Sequence, residues 1–235
     1  GDNRFHQLGV NTSKDYVQLF EVTTFPKWER LEIGLFHSCG ITKVKKDDKD
    51  WLALKCWGDN NYGQIGDPTQ QNVASPTTVD PNTQYSDISV GLYHTCGLTI
   101  DGIAKCWGSG DFLQLGLSRI KSSKVPLIID TNEQFIAISS GAYHTCALKK
   151  DNSLRCWGRN DFGQIGSGAA HYHGSIKNFE QEVKYKQISL GDYHSCALTV
   201  DDMVKCWGKN DFGQIGIGNQ EPMLKPMLVS TNLKF

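Results

Sequence analysis

The side chains richest in chemistry in this 235-residue chain are eight cysteines and the histidines beside them. Cys39, Cys96, Cys146 and Cys196 each follow a histidine by two positions, at His37, His94, His144 and His194. Each also has a partner cysteine downstream, at Cys56, Cys106, Cys156 and Cys206. Residues two apart on a strand share a face, so each set could offer a metal ion one imidazole and two thiolates. That is one ligand short of a closed zinc site. The same cysteines could instead form four disulfides or stay as free thiols. The choice depends on the elements that carry them.

Those elements come from a repeat. Gly91–Gly116 reads GLYHTCGLTIDGIAKCWGSGDFLQLG, and close copies run from Gly141 to Gly166 and from Gly191 to Gly216. A fourth copy, from Gly34 to Gly66, carries seven extra residues between its cysteines, and GDNRFHQLG at Gly1–Gly9 is the tail of a fifth. From the closing glycine of each copy to the first cysteine of the next is always 30 residues. Constant linkers with a variable tip describe stacked units whose loops project from a shared core.

Within one unit, Tyr143–Leu148 and Ser153–Trp157 flank turn residues and predict a tight hairpin. Cys146 and Cys156 are symmetric about residue 151, as Cys96 and Cys106 are about 101 and Cys196 and Cys206 about 201. Such pairs oppose one another across antiparallel strands, close enough for a disulfide, and Cys39 with Cys56 follows from homology of position. Third strands are expected at Phe135–Ser139, Ser86–Val90 and Tyr185–Ser189, and fourth strands at Pro126–Asp130 and Pro226–Ser230. Four short strands per 50 residues with no amphipathic helical window predict an all-β propeller of four-stranded blades. One propeller domain over 1–235 is expected, with units ending near 9, 66, 116, 166 and 216. Trp57, Trp107, Trp157 and Trp207 are expected to pack between blades, and Gln64, Gln114, Gln164 and Gln214, with Gln7, to satisfy backbone groups at the junctions. Leu113 and His6, standing where other copies have glycine, are expected to alter their turns.

The units resemble repeats of the regulator of chromosome condensation family, through the G-x-x-H-[ST] start, the aspartate-containing hairpin and the W-G-x-N-x-x-G-Q-[LI]-G end. The resemblance implies a propeller, most often of seven blades, of which this chain would be an incomplete part. It implies a structural hydrogen-bonding role for the four repeat histidines. The flanking cysteines look like those of secreted and cell-surface variants of the repeat. Family members act as guanine-nucleotide exchange factors, ubiquitin-ligase partners, bacterial inhibitors or surface-protein modules.

Outside the repeat, the first hairpin tip carries Lys45, Lys46 and Trp51, and His171, Tyr172 and His173 form a histidine cluster; both are candidate partner-binding segments. Asn11 begins a glycosylation sequon. With 24 Lys and Arg against 25 Asp and Glu, net charge provides no attraction to nucleic acid or anionic lipid, and no apolar run is long enough to span a membrane. Asp101, Asp151 and Asp201 lie at hairpin tips, where turn chemistry accounts for them. No catalytic set, metal or cofactor is called for. Disulfides in every unit predict an oxidising location: extracellular, cell-surface or secretory lumen. The expected function is a non-enzymatic module that binds a protein partner or forms part of a larger assembly. The alternatives are a small-GTPase regulator and a carbohydrate-binding propeller. The partial units at both ends lead us to expect a longer parent chain.

Overall fold

The computed structural model describes residues 1–10, 12, 14–15, 27–69, 71–130, 132–170, 173–178 and 182–229. Short runs of β-branched and aromatic residues, separated by Gly, Asp and Asn turns, form four antiparallel four-stranded sheets. The first blade is β1 (Trp28–Ile33), β2 (His37–Lys46), β3 (Lys49–Asp59) and β4 (Asn72–Val79). The second is β5 (Tyr85–Val90), β6 (His94–Thr99), β7 (Ala104–Ser109) and β8 (Ser122–Ile128). The third is β9 (Phe135–Ser140), β10 (His144–Lys149), β11 (Leu154–Gly158) and β12 (His173–Asn178). The fourth is β13 (Tyr185–Leu190), β14 (His194–Thr199), β15 (Val204–Gly208) and β16 (Met223–Leu228).

Strands pair in chain order within each blade. The first strands of neighbouring blades pack on one another, so β1, β5, β9 and β13 line the axis of an open arc. The fourth strands form its outer rim. The core lies between the sheets: Trp107 and Tyr85 of the second blade pack with Ile41, Leu54, Cys56 and Ile65 of the first, and the arrangement recurs along the arc.

The outer strands begin earlier than expected. β8 and β16 start at Ser122 and Met223, and Ile129 and Val229 still donate to Ala104 and Val204 beyond the strand ends. A register shift lies at each Trp-Gly pair, between Cys106 and Gly108 and between Cys206 and Gly208, where the early part of the outer strand pairs.

The seven extra residues of the first hairpin do not make a loose tip. They lengthen β2 and β3, pair Val44 with Trp51 and Lys46 with Lys49, and close in a two-residue turn at Asp47 and Asp48. Both turn residues have positive φ, 50° and 61°, which suits the twist of a two-residue hairpin. Nor do Leu113 and His6 alter their turns. They adopt φ of 65° and 63°, the left-handed region held elsewhere by Gly63, Gly163 and Gly213, and keep the same i to i+3 bonds. Bonds on either side of the turn impose the backbone shape on a residue that disfavours it.

Candidate functional site

Register places each cysteine pair face to face. Cys39↔Cys56, Cys96↔Cys106, Cys146↔Cys156 and Cys196↔Cys206 are cross-strand partners in the central hairpins, with Cα atoms 4.1 Å apart, and each pair is disulfide-bonded. The sulfurs are therefore committed to one another. The histidines two residues upstream also point away from any metal arrangement. His37, His94 and His144 place Nε2 at 2.8, 2.9 and 2.9 Å from the hydroxyls of Thr95, Thr145 and Ser195 in the next blade.

Each of those hydroxyls donates its proton to a main-chain carbonyl, Thr95 to Gln64, Thr145 to Gln114 and Ser195 to Gln164, at 2.7, 3.1 and 2.7 Å. The hydroxyl must then accept from the imidazole, which fixes each histidine as the Nε2–H tautomer. Nδ1 of His37, His94 and His144 is buried without a partner. Burial lowers all three pKa values to about 3, so the rings are neutral. His194, on the last blade, is only half-buried and is lowered less. A glycine three residues before His94, His144 and His194 makes room for the ring: a Cβ on Gly91 would lie 2.2 Å from the His94 ring.

The tryptophans complete the junction from the other side. Trp57, Trp157 and Trp207 donate Nε1–H to the carbonyls of Gln7, Gln114 and Gln164 of the preceding unit. Trp107 is equally buried but its Nε1 lacks this bond. The glutamine side chains satisfy backbone groups, and Gln7 Nε2 donates across the junction to the Leu35 carbonyl at 3.3 Å. All five Oε1 atoms accept from the backbone two residues earlier, at Phe5, Tyr62, Phe112, Phe162 and Phe212, closing the loop, while the main-chain carbonyls of Gln7, Gln64, Gln114 and Gln164 also serve the junctions.

The lengthened first hairpin docks on the second blade. Lys46 Nζ donates to Pro81 O and Asn82 Oδ1 at 2.8 and 3.1 Å and sits 4.4 Å from the Trp51 ring. Leu52 N–H donates to Gln84 Oε1, and Lys45 pairs with Asp50. Trp51 is half-buried between two clefts, one beside Arg30 and Tyr85, the other beside Ile100 and Lys105. It is part of a latch rather than a free exposed ring. Asn11, His171 and Tyr172 lie outside the described residues; His173 begins β12, and its side chain is not described.

The opposite face carries residues the sequence reading passed over. Each turn before a central strand has an aromatic residue, Phe36, Tyr93, Tyr143 or Tyr193, and each loop after Trp-Gly has another, Phe5, Tyr62, Phe112, Phe162 or Phe212. They form a continuous ribbon across the arc, with Phe36–Tyr93, Tyr93–Tyr143 and Tyr143–Tyr193 centroids 5.3, 6.4 and 6.1 Å apart. The rings are half-exposed or exposed, up to 86% at Phe212. The signal was present as two more recurring columns, hidden because every copy has them and none looks exceptional.

Residues 56–98, 101–148, 151–198 and 201–235 match the Regulator of chromosome condensation (RCC1) repeat. A second description of the same repeat matches 85–114, 135–164 and 185–214. No curated protein compared with the chain matches it. Among solved structures, human WBSCR16 superposes with a TM-score of 0.86 at 19% identity, over 97% of this chain and 61% of that one. Prp20p from Saccharomyces cerevisiae, whose structure was described with its binding to Gsp1p and histones, gives 0.76 at 21% identity, over 91% of this chain and 53% of that one. The ectodomain of the receptor kinase CR4 from Physcomitrella patens gives 0.51 at 21%, over 84% and 41%. These are likenesses of fold, and the chain spans less than two thirds of each of these proteins.

Proposed function

The chain belongs to the Regulator of chromosome condensation (RCC1) repeat family, and from that premise we propose that it is an extracellular, non-enzymatic propeller module that binds a protein partner. The observation that carries this reading is the disulfide repeated at one interior position in all four blades. Four disulfides, with every cysteine buried except the half-buried Cys196, suit an oxidising compartment, because a reducing pool would open such bonds. The half-exposed aromatic ribbon supports a contact role, since aromatic side chains dominate the energetics of protein interfaces.

The second reading is a regulator of a small GTPase, favoured by family membership and by the described binding of yeast Prp20p to Gsp1p. Two measurements separate the readings. Mass analysis of the alkylated, unreduced protein is expected to find no modified cysteine; eight alkylated thiols in protein purified from its native source would overturn the extracellular reading. A nucleotide-release assay against a panel of small GTPases is expected to show no acceleration. Catalysed release would establish the second reading instead.

A further inference from the structure

The aromatic ribbon is built from equivalent clusters, each combining the loop aromatic of one unit with the turn aromatics of the next two. The residue after each Trp-Gly pair differs: Asp59, Ser109, Arg159 and Lys209. In the third blade the Arg159 guanidinium lies 4.9, 5.4 and 5.5 Å from the ring centroids of Phe112, Tyr143 and Tyr193. In the fourth, Lys209 Nζ lies 5.2 and 5.7 Å from Phe162 and Tyr193. The chain thus fills two of its own clusters with cations, as the quadrupole of an aromatic face favours.

The cluster of Tyr62, Tyr93 and Tyr143 has nearly the same ring geometry as the one holding Arg159. Its centroid distances are 5.0 and 6.4 Å, against 5.0 and 6.1 Å for Phe112–Tyr143 and Tyr143–Tyr193. Ser109 stands where Arg159 does, and among the described residues no Lys or Arg lies over Tyr62 or Tyr93. Tyr62 is 43% exposed.

The exchange of Ser for Arg has a structural cost that the ring contacts offset. Ser109 Oγ accepts from Gln114 Nε2 at 3.3 Å, as Asp59 Oδ2 accepts from Gln64 Nε2 at 2.9 Å. A guanidinium cannot accept, and Gln164 Nε2 is buried without a partner. Ser109 therefore satisfies its loop and leaves the rings above it open. Asp59, whose charge reaches Tyr93, adds negative potential at the edge of this cluster.

We propose that the Tyr62, Tyr93 and Tyr143 cluster is a receptor for an arginine side chain of a protein partner. The guanidinium is preferred because the copy with matching ring spacing already holds one. The proposal names the partner chemistry of the interaction module and rests on that reading only for the partner being a protein.

The test is a titration of the disulfide-intact protein with the peptide Gly-Arg-Gly-Arg-Gly amide, followed by NMR of labelled tyrosine rings. The peptide is expected to shift Tyr62 and Tyr93 saturably, and replacing its arginines by neutral citrulline is expected to weaken binding at least about tenfold. Ser109→Arg, which copies the native arrangement at Arg159, is expected to abolish the shifts while leaving Tm within a few degrees. Arg159→Ser is expected to open a second cluster and raise the number of peptides bound. Should Ser109→Arg not fold, Tyr62→Ala takes its place, with an expected loss of at least about tenfold. Equal binding of the citrulline peptide, unchanged binding by Ser109→Arg or Tyr62→Ala, or no shift at millimolar peptide would overturn the proposal. The thiol and nucleotide-release assays read the class of the module and the titration reads this cluster, so either can fail without the other.

Discussion

At the scale of single residues, the junction histidines make stability depend on pH in a defined direction. Their pKa falls from an ordinary 6.5 to about 3 in the folded protein, so between those values the unfolded chain binds more protons. Stability is then fully present above pH 6.5 and is lost as pH falls toward 3. Each imidazole contributes a slope of about 1.4 kcal/mol per pH unit in that window, and three contribute about 4. Urea midpoints measured from pH 7 to pH 4.5 are expected to fall accordingly, and His94→Gln to remove about a third of the slope. A flat profile would show that the rings titrate in the folded protein as they do in the unfolded chain. The cysteine pairing was legible at this scale because it is local: hairpin symmetry alone brings residues 10 apart face to face. The histidine partners were not, because Thr95, Thr145 and Ser195 are 51 to 58 residues away and meet the rings only when blades stack.

Among the elements, one turn keeps the repeat's shape with an unfavourable residue and one hairpin is lengthened against its neighbour. Leu113 holds φ of 65° in a turn where three other copies use glycine. A left-handed conformation costs a residue with a side chain roughly 1 to 2 kcal/mol relative to glycine. Leu113→Gly is accordingly expected to stabilise the protein by about 1 kcal/mol, raising Tm by about 2 to 4 °C in calorimetry. An unchanged or lower Tm would mean that the half-buried leucine side chain offsets the strain. The lengthened β2–β3 hairpin has a related lesson. Its extra residues read as a mixed-charge tip, but their alternation extends the ladder to Lys46, and the second blade supplies Pro81, Asn82 and Gln84 to hold it. Those acceptors lie more than 30 residues downstream, so nothing in the hairpin's own sequence announces the latch.

Across the whole molecule, each blade touches its neighbours, and stability is close to a sum of blade and junction terms. Removing one junction should uncouple the arc at that point. Thr145→Ala leaves the buried His94 Nε2–H without its acceptor, a cost of about 1 to 3 kcal/mol, while the Gln114 carbonyl keeps its bond from Trp157 Nε1–H. Hydrogen exchange is expected to show faster opening on both sides of the junction between the second and third blades, with the fourth blade unaffected. Uniformly accelerated exchange would indicate one cooperative unit instead.

Period, strand content and cysteine symmetry were set by the sequence by itself, because each depends on contacts within one 50-residue unit and is written four times over. The tertiary structure decided what the recurring polar residues are for. Histidine and carbonyl belong to one unit and the hydroxyl to the next, so the three become a proton-ordered chain only where two blades stack. It also decided which aromatic clusters hold a cation of the chain's own and which, among the described residues, do not. That depends on a single variable residue after Trp-Gly, whose meaning appears only when the rings of two further blades are brought around it.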